Sequence, residues 1–131
     1  MEGSAAFLVS VGGRLTVLHV VDNAPLITAP EAATYLPQLV DDLRAAGNKV
    51  ATAAKARAEK AGVKCDVDVI ETAGRPIYEA IVAEARRRRA NVIVLGTHGR
   101  RGLARVLMGS DAEGVVREAT VPVMLVRGPA E

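Results

Sequence analysis

The residues best suited to chemistry lie between positions 96 and 110: Gly96-Thr97-His98-Gly99, then nine residues, then Gly109-Ser110. The stretch follows a short apolar run at 91–95 (NVIVL) and opens a helix-forming segment at 110–119. Glycine lets a backbone approach an anion closely and take positive φ. The first N–H groups of a helix have no intrahelical acceptor, and the helix dipole favours negative charge there. Phosphate binding is the chemistry such a loop can perform. The Ser110 hydroxyl would donate to a phosphate oxygen, and Arg100, Arg101 and Arg105 would screen its charge. A structural reading competes with this. Ser110-Asp111-Ala112-Glu113 has the S-x-x-E form of a capping box, in which Ser110 and Glu113 satisfy the helix's own end. Asp111 suits a helix first turn by its sign, yet it repels a triphosphate.

Other reactive side chains are sparse. His98 lies in the glycine stretch and could hydrogen-bond a phosphate, but with no paired base or nucleophile nearby it is not read as catalytic. His19 sits inside an apolar run and reads as a satisfied buried histidine. Cys65 is the single cysteine, which makes no internal disulfide and no multi-cysteine zinc site, and it reads as a small buried apolar residue. No metal site is assigned. Arg86–Arg89 reads as a solvated helix C-terminus, where the dipole favours cations. Asp66 and Asp68 share one strand face and read as charges that blunt a sheet edge.

Composition narrows the partners. Of 131 residues, half are hydrophobic and 24% are charged, which is a folding composition and the length of one domain spanning 1–131. Aromatics are only 2%, so the core is aliphatic and base-stacking single-strand nucleic-acid binders are disfavoured. The net charge of +2 favours no particular partner. No apolar run reaches the ~20 residues of a membrane span, and the first thirteen residues lack a signal peptide's basic start. A reducing, cytoplasmic setting is the expectation.

The elements that must position the loop follow from periodicity. Residues 14–21 (RLTVLHVV) and 91–95 read as strands buried on both faces. Residues 37–61 read as a helix with Leu39, Leu43, Ala46, Val50, Ala53 and Ala54 on its apolar face, Gly62 past its end, and Gly47-Asn48 as a weak spot. Residues 63–71 alternate like an edge strand, a helix starts near Pro76 and runs to about Arg89, and 121–127 (VPVMLVR) is the last strand. The alternation predicts an α/β fold, an open and mostly parallel sheet flanked by helices. The start is ambiguous. Ala5–Val11 reads either as the remnant of a helix ending at Gly12-Gly13, the favoured reading, or as a strand turning at those glycines into 14–21.

With Gly96-x2-Gly99-x9-Gly109-Ser110 in view, the chain resembles the universal stress protein family. LTVLHVVD at 15–22, GRPIYEAIVAEA at 74–85, NVIVLGTHG at 91–99 and VPVMLVR at 121–127 extend the likeness over roughly 14–127. The resemblance implies a Rossmann-like sheet of adenine-nucleotide-binding type ordered 3-2-1-4-5, and pairing into a homodimer through the last strand. It implies ATP or another adenine nucleotide as ligand, with magnesium accompanying it. Gly96, Gly99, Gly109 and Ser110 would line the ribose and phosphates, Leu95 would lie beside base or ribose, and Val21 near the adenine. The chain departs from the family at its start. The opening strand, with its adenine-contacting aspartate, is missing, and only Glu2-Gly3-Ser4 echoes its tail. Ala112 stands where ATP-binding members often offer a hydroxyl. The readings are therefore a nucleotide-binding or sensing module; a dimer of this fold that works through protein partners; or a slow ATPase, for which only Asp111 is near the loop. A sheet without its central strand leaves unpaired backbone groups, each costing ~1–3 kcal/mol if buried. Three repairs are open: Phe7–Val11 enters the gap, the neighbouring strands close up, or another chain fills it.

Overall fold

A computed structural model describes residues 4–10, 12–22, 36–96 and 109–126. Over these residues the chain forms β1 (Ser4–Ser10), β2 (Arg14–Val21), α1 (Leu36–Lys60), β3 (Cys65–Glu71), α2 (Ile77–Arg87), β4 (Val92–Gly96), α3 (Ser110–Glu118) and β5 (Val123–Val126). The five strands make one sheet in the order β3-β2-β1-β4-β5. β2 pairs β3 in parallel and β4 pairs β5 in parallel, whereas β1 runs antiparallel to both of its neighbours.

The sheet therefore has its central strand, supplied by residues that the favoured reading made a helix remnant. Phe7–Val9 and their neighbours enter the gap, with Ser10 opposite Arg14 and Val9 opposite Val92. The direction of β1 has a simple cause. A parallel neighbour needs a crossover of about a dozen residues or more, and only three residues separate β1 from β2. A hairpin is the one connection short enough. Gly12 and Gly13 make it, at φ of +90° and +77°, and Gly13 N–H donates to Ser10 O at 3.1 Å. Glycine is the residue that takes such angles without steric cost.

Helices cover both faces. On one, Ala6, Leu8, Leu18, Val20, Ile93 and Leu95 pack against Ala80, Ile81 and Ala85 of α2 and Ala112 and Val115 of α3. On the other, Val17 and Cys65 pack against Ala51 of α1, with Phe7, Leu15, Val67 and Val69 around them. β4 is fully buried only on the first face; Val92 and Val94 are half-buried. Among the described residues, no helix is long and apolar enough to cross a membrane.

The face that α1 buries differs from the predicted one. Leu39 and Val50 are exposed, and Gly47 and Ala51 are buried with Ala54 and Ala58 half-buried. The inward stripe is thus made of small residues, because the His19 ring of β2 projects into α1. A methyl group built at Gly47 would overlap that ring, lying 2.9 Å from its Nε2. Gly47 is therefore a close-packing position, not a weak spot. Gly47→Ala should lower stability by ~1–3 kcal/mol through overpacking, although alanine favours an isolated helix by ~1 kcal/mol. Urea denaturation checks this, and a more stable variant would contradict it.

His19 is not satisfied, contrary to expectation: its Nδ1 is buried without a partner. Burial pushes its pKa below the ordinary 6.5, while the unfolded chain takes the proton at that ordinary value. Stability contributed by neutral His19 is therefore complete above pH 6.5 and falls as pH drops below it. Denaturation midpoints between pH 7 and pH 5 should fall less steeply in His19→Leu than in the wild type.

Candidate functional site

Every strand except β1 points the same way, so β2 and β4 end at the same edge of the sheet. Val21 ends β2 and Gly96 ends β4. α3 lies between two parallel strands, β4 and β5, so it runs back across the sheet and its first residue, Ser110, lies at that edge. Of the positions singled out by sequence, Val21, Leu95, Gly96, Gly109 and Ser110 are thus brought to one end of the molecule. Gly99 falls outside the described residues, as do Thr97, His98, Arg100, Arg101 and Arg105.

This edge is also where the chain's winding reverses. From β1 the chain moves outward through β2 to β3, then crosses to β4 and continues to β5. In open α/β sheets, ligands bind outside the carboxyl ends of the strands at such a switch point. Here β1 is inverted, so its beginning occupies that place between the strand ends: Ser4 pairs Val20, and Ala6 pairs Leu95.

Among the described residues, a Cβ on Gly109 would meet nothing within 4 Å, and one on Gly96 would meet only the Val126 carbonyl at 3.9 Å. Gly109 is the N-cap of α3, at φ −68° and ψ 165°. The N-cap residue is a glycine with no side chain to cap the helix, so the competing reading of Ser110 and Glu113 as a capping box does not hold. The reason is register. Ser110 is the first helical residue, one position too late for a cap hydroxyl to turn back on the third amide. The Ser110 side chain is exposed at the mouth of this helix start. Asp111 and Glu113 complement the helix dipole in its first turn.

Val21 and Leu95 contribute differently from the glycines. These residues are 2% and 5% exposed, so neither presents a side chain at the edge. The Val21 carbonyl accepts the Thr72 N–H at 3.0 Å, and the Thr72 hydroxyl donates to Asp22 Oδ1 at 3.4 Å. Thr72 is completely buried and ties the ends of β2 and β3 together. Sequence reasoning missed this brace; the polar Asp22 directly after the apolar run was its only signal.

At some distance from the edge lies a second polar group. Arg88 Nε bridges Asp68 at 2.9 Å and Glu84 at 3.2 Å, and Arg87 also holds Glu84, Nε to Oε1 at 3.0 Å. Asp68 and Glu84 are mostly buried. The hydrogen bond from Arg87, with further help from Asp68 and Arg88, lowers the Glu84 pKa to about 2. Burial and the neighbouring Glu84 push Asp68 up. The reading of Asp68 as an edge charge is thus corrected: it sits on the β3 face covered by α2 and clamps β3 to that helix. Asp66 pairs with the exposed Arg14 at 3.0 Å. The four-arginine run is likewise not uniformly solvated, since Arg88 turns inward. Among the described residues, no cluster of three or more His, Cys, Asp or Glu could hold a metal.

Strand order, winding reversal and helices on both faces of the sheet define a Rossmann-like α/β protein. The sequence profile of the universal stress protein family matches residues 3–127, and the chain belongs to that family. It is 36% identical over 113 residues to universal stress protein MJ0531 of Methanocaldococcus jannaschii, covering 86% of this chain but 64% of that relative's length. It is 31% identical over 120 residues to universal stress protein YxiE of Bacillus subtilis, covering 87% of this chain and 79% of that one. Among solved structures, hypothetical protein MJ0577 superposes with a TM-score of 0.72 at 24% identity, over 88% of this chain and 76% of that one. UspA from Lactobacillus plantarum superposes with a TM-score of 0.65 at 24% identity, over 87% and 77%. These two likenesses establish the fold.

Proposed function

We propose that this chain is a single-domain cytoplasmic stress-response module that binds and senses an adenine nucleotide, ATP or a related species. Its phosphates would lie over Gly96, Gly99, Gly109 and Ser110, its ribose beside the Leu95 backbone and its adenine near Val21. The observation that carries the reading is the start of α3. The residue at its N-cap is a glycine, which has no side chain to turn back on the first turn, and among the described residues nothing lies within 4 Å of that glycine's Cβ position. Magnesium would accompany the phosphates and offset part of the repulsion from Asp111. The proposal is binding and sensing, not turnover.

Ser110→Ala removes one hydroxyl donor and, because that hydroxyl caps nothing, should leave stability unchanged. It should weaken nucleotide binding by about 1 kcal/mol, the net scale of one hydrogen bond, or roughly fivefold. Titration calorimetry paired with thermal melting checks both halves. A destabilised variant with unchanged affinity would count against a phosphate-binding role for Ser110.

A second reading, a dimer acting through protein contacts, is favoured by β5. It is an edge strand, and Met124, Leu125 and Val126 are 56%, 38% and 46% exposed. An apolar edge is a template for pairing with its twin. We expect a homodimer through 121–127, with Pro122 limiting pairing at the start. Leu125→Glu should shift sedimentation toward monomer; a wild-type monomer at micromolar concentration would contradict the pairing.

A further inference from the structure

At the opposite end of the sheet from the glycine edge, a cavity of about 200 Å³ opens between the end of α2, the start of β4 and the turn leading into β5. Its apolar wall includes Val82, Ala85, Ala90, Ile93 and Val121. Its polar lining is Arg86, Arg89 and the hydroxyl-bearing Thr120. We propose that this cavity is a binding site for a small monocarboxylate with a short aliphatic tail.

The argument begins with how the four-arginine run is divided. Arg87 and Arg88 are engaged by Glu84 and Asp68. Arg86 and Arg89, the two that line the cavity, form no ion pair among the described residues. Glu118, which precedes the lining residue Ala119, is taken by Arg117 at 3.5 Å. The cavity rim therefore carries two arginines with no carboxylate paired to them among the described residues, a charge that the negative end of the helix dipole offsets only by about half a unit. Arg89 also takes φ of +56°, a conformation that glycine or asparagine adopts at lower cost. Arg89 lines the cavity from that strained position.

The chemistry of the ligand follows from shape and charge together. A guanidinium matches a carboxylate with two parallel N–H···O bonds, and Thr120 can donate a third. The wall excludes a second charge and suits methylenes. At ~30 Å³ for each water-sized group, the cavity accepts about seven such groups, the size of hexanoate and far smaller than a nucleotide. The site is thus distinct from the glycine edge in both place and ligand class.

The test titrates hexanoate, 1-hexanol and acetate into the full chain and follows backbone amide shifts. Hexanoate should bind with a dissociation constant on the order of 1 mM, a strength open to so small a ligand, moving Ala85, Ala90 and Val121. Hexanol lacks the charge and acetate lacks the tail, and each should bind at least ~10-fold more weakly. Arg86→Gln with Arg89→Gln should weaken hexanoate by a similar factor while leaving the melting temperature within a few degrees, because both side chains are exposed. Shifts absent from these residues, hexanol binding as well as hexanoate, or full affinity in the folded double variant would each overturn the assignment.

Discussion

Gly114→Val should destabilise the fold and weaken nucleotide binding together. Gly114 is buried where α3 crosses α2, directly beneath Tyr78. A Cβ there would overlap the Tyr78 ring and lie 2.8 Å from the tyrosine's own Cβ. The ring cannot simply swing away: it packs at the margin of the core, and the Arg117 guanidinium sits 5.6 Å from its centroid. Overpacking of this kind costs ~1–3 kcal/mol and occasionally more, a large share of the ~5–15 kcal/mol that holds a domain together. The relief available is a shift of α3 away from α2. That helix has nine residues, and Gly114 is one turn from Ser110, so a shift at the contact carries the helix start with it. Affinity for ATP should therefore fall in the molecules that remain folded. Tyr78→Ala in the same chain removes the obstacle and should restore most of both losses, a coupling that a double-mutant cycle measures directly. Losses that simply add would show that Tyr78 is not the obstacle.

The second large effect is expected at Arg88. Arg88→Met retains the aliphatic stem and removes the cation, leaving the Asp68 and Glu84 carboxylates side by side in a mostly buried place. Removing one partner of a buried ion pair costs ~3–5 kcal/mol; Arg88 is itself 30% exposed, so about 2–3 kcal/mol at pH 7 is the expectation here. The pH dependence has a definite sign. Asp68 has a raised pKa in the fold, so its ionisation is a burden that builds as pH rises from the ordinary 3.8 to the folded value, is complete above it and is absent where both states are protonated. Losing Arg88 raises that pKa further. The variant's deficit should therefore be larger at pH 7 than at pH 5. Glu84, still held by Arg87, opposes this only at lower pH: with its pKa down at about 2 against an ordinary 4.5, its contribution is lost as pH falls from 4.5 toward 2. Urea denaturation at pH 7 and pH 5 reads the difference. An equal deficit at both would mean that Arg88 acts only by packing.

Most of the strands and helices, and the Gly96 and Gly109-Ser110 positions, were legible because they depend on local pattern. Apolar runs mark β2 and β4, alternation marks β3, and Pro76 and Gly62 punctuate the helices. What escaped local pattern depended on tertiary neighbours. The direction of β1 was decided by the length of its connection and by vacant hydrogen-bonding positions beside β2 and β4, not by its own short apolar sequence. The buried stripe of α1 was set by the His19 ring, which no helical periodicity announces. Asp68 looked like an edge charge because the partner that draws it inward, Arg88, lies twenty residues away. The capping box failed by one residue, within the usual uncertainty of a helix boundary.

The central claim is that the open glycine at the start of α3 marks the phosphate end of a nucleotide site. Gly109→Val tests it most directly, because Gly109 has an ordinary φ of −68° and free space around its Cβ position, so the fold should accept valine. A side chain there would stand where phosphate oxygens must approach the backbone. Titration calorimetry with ATP, ADP and AMP on the wild type should show saturable binding weaker than about 1 μM, or −8 kcal/mol, because β1 runs antiparallel to its neighbours and brings no aspartate beside the proposed adenine position. The same titration of a folded Gly109→Val should show none. Binding in the variant equal to that of the wild type would contradict the account and place the nucleotide elsewhere.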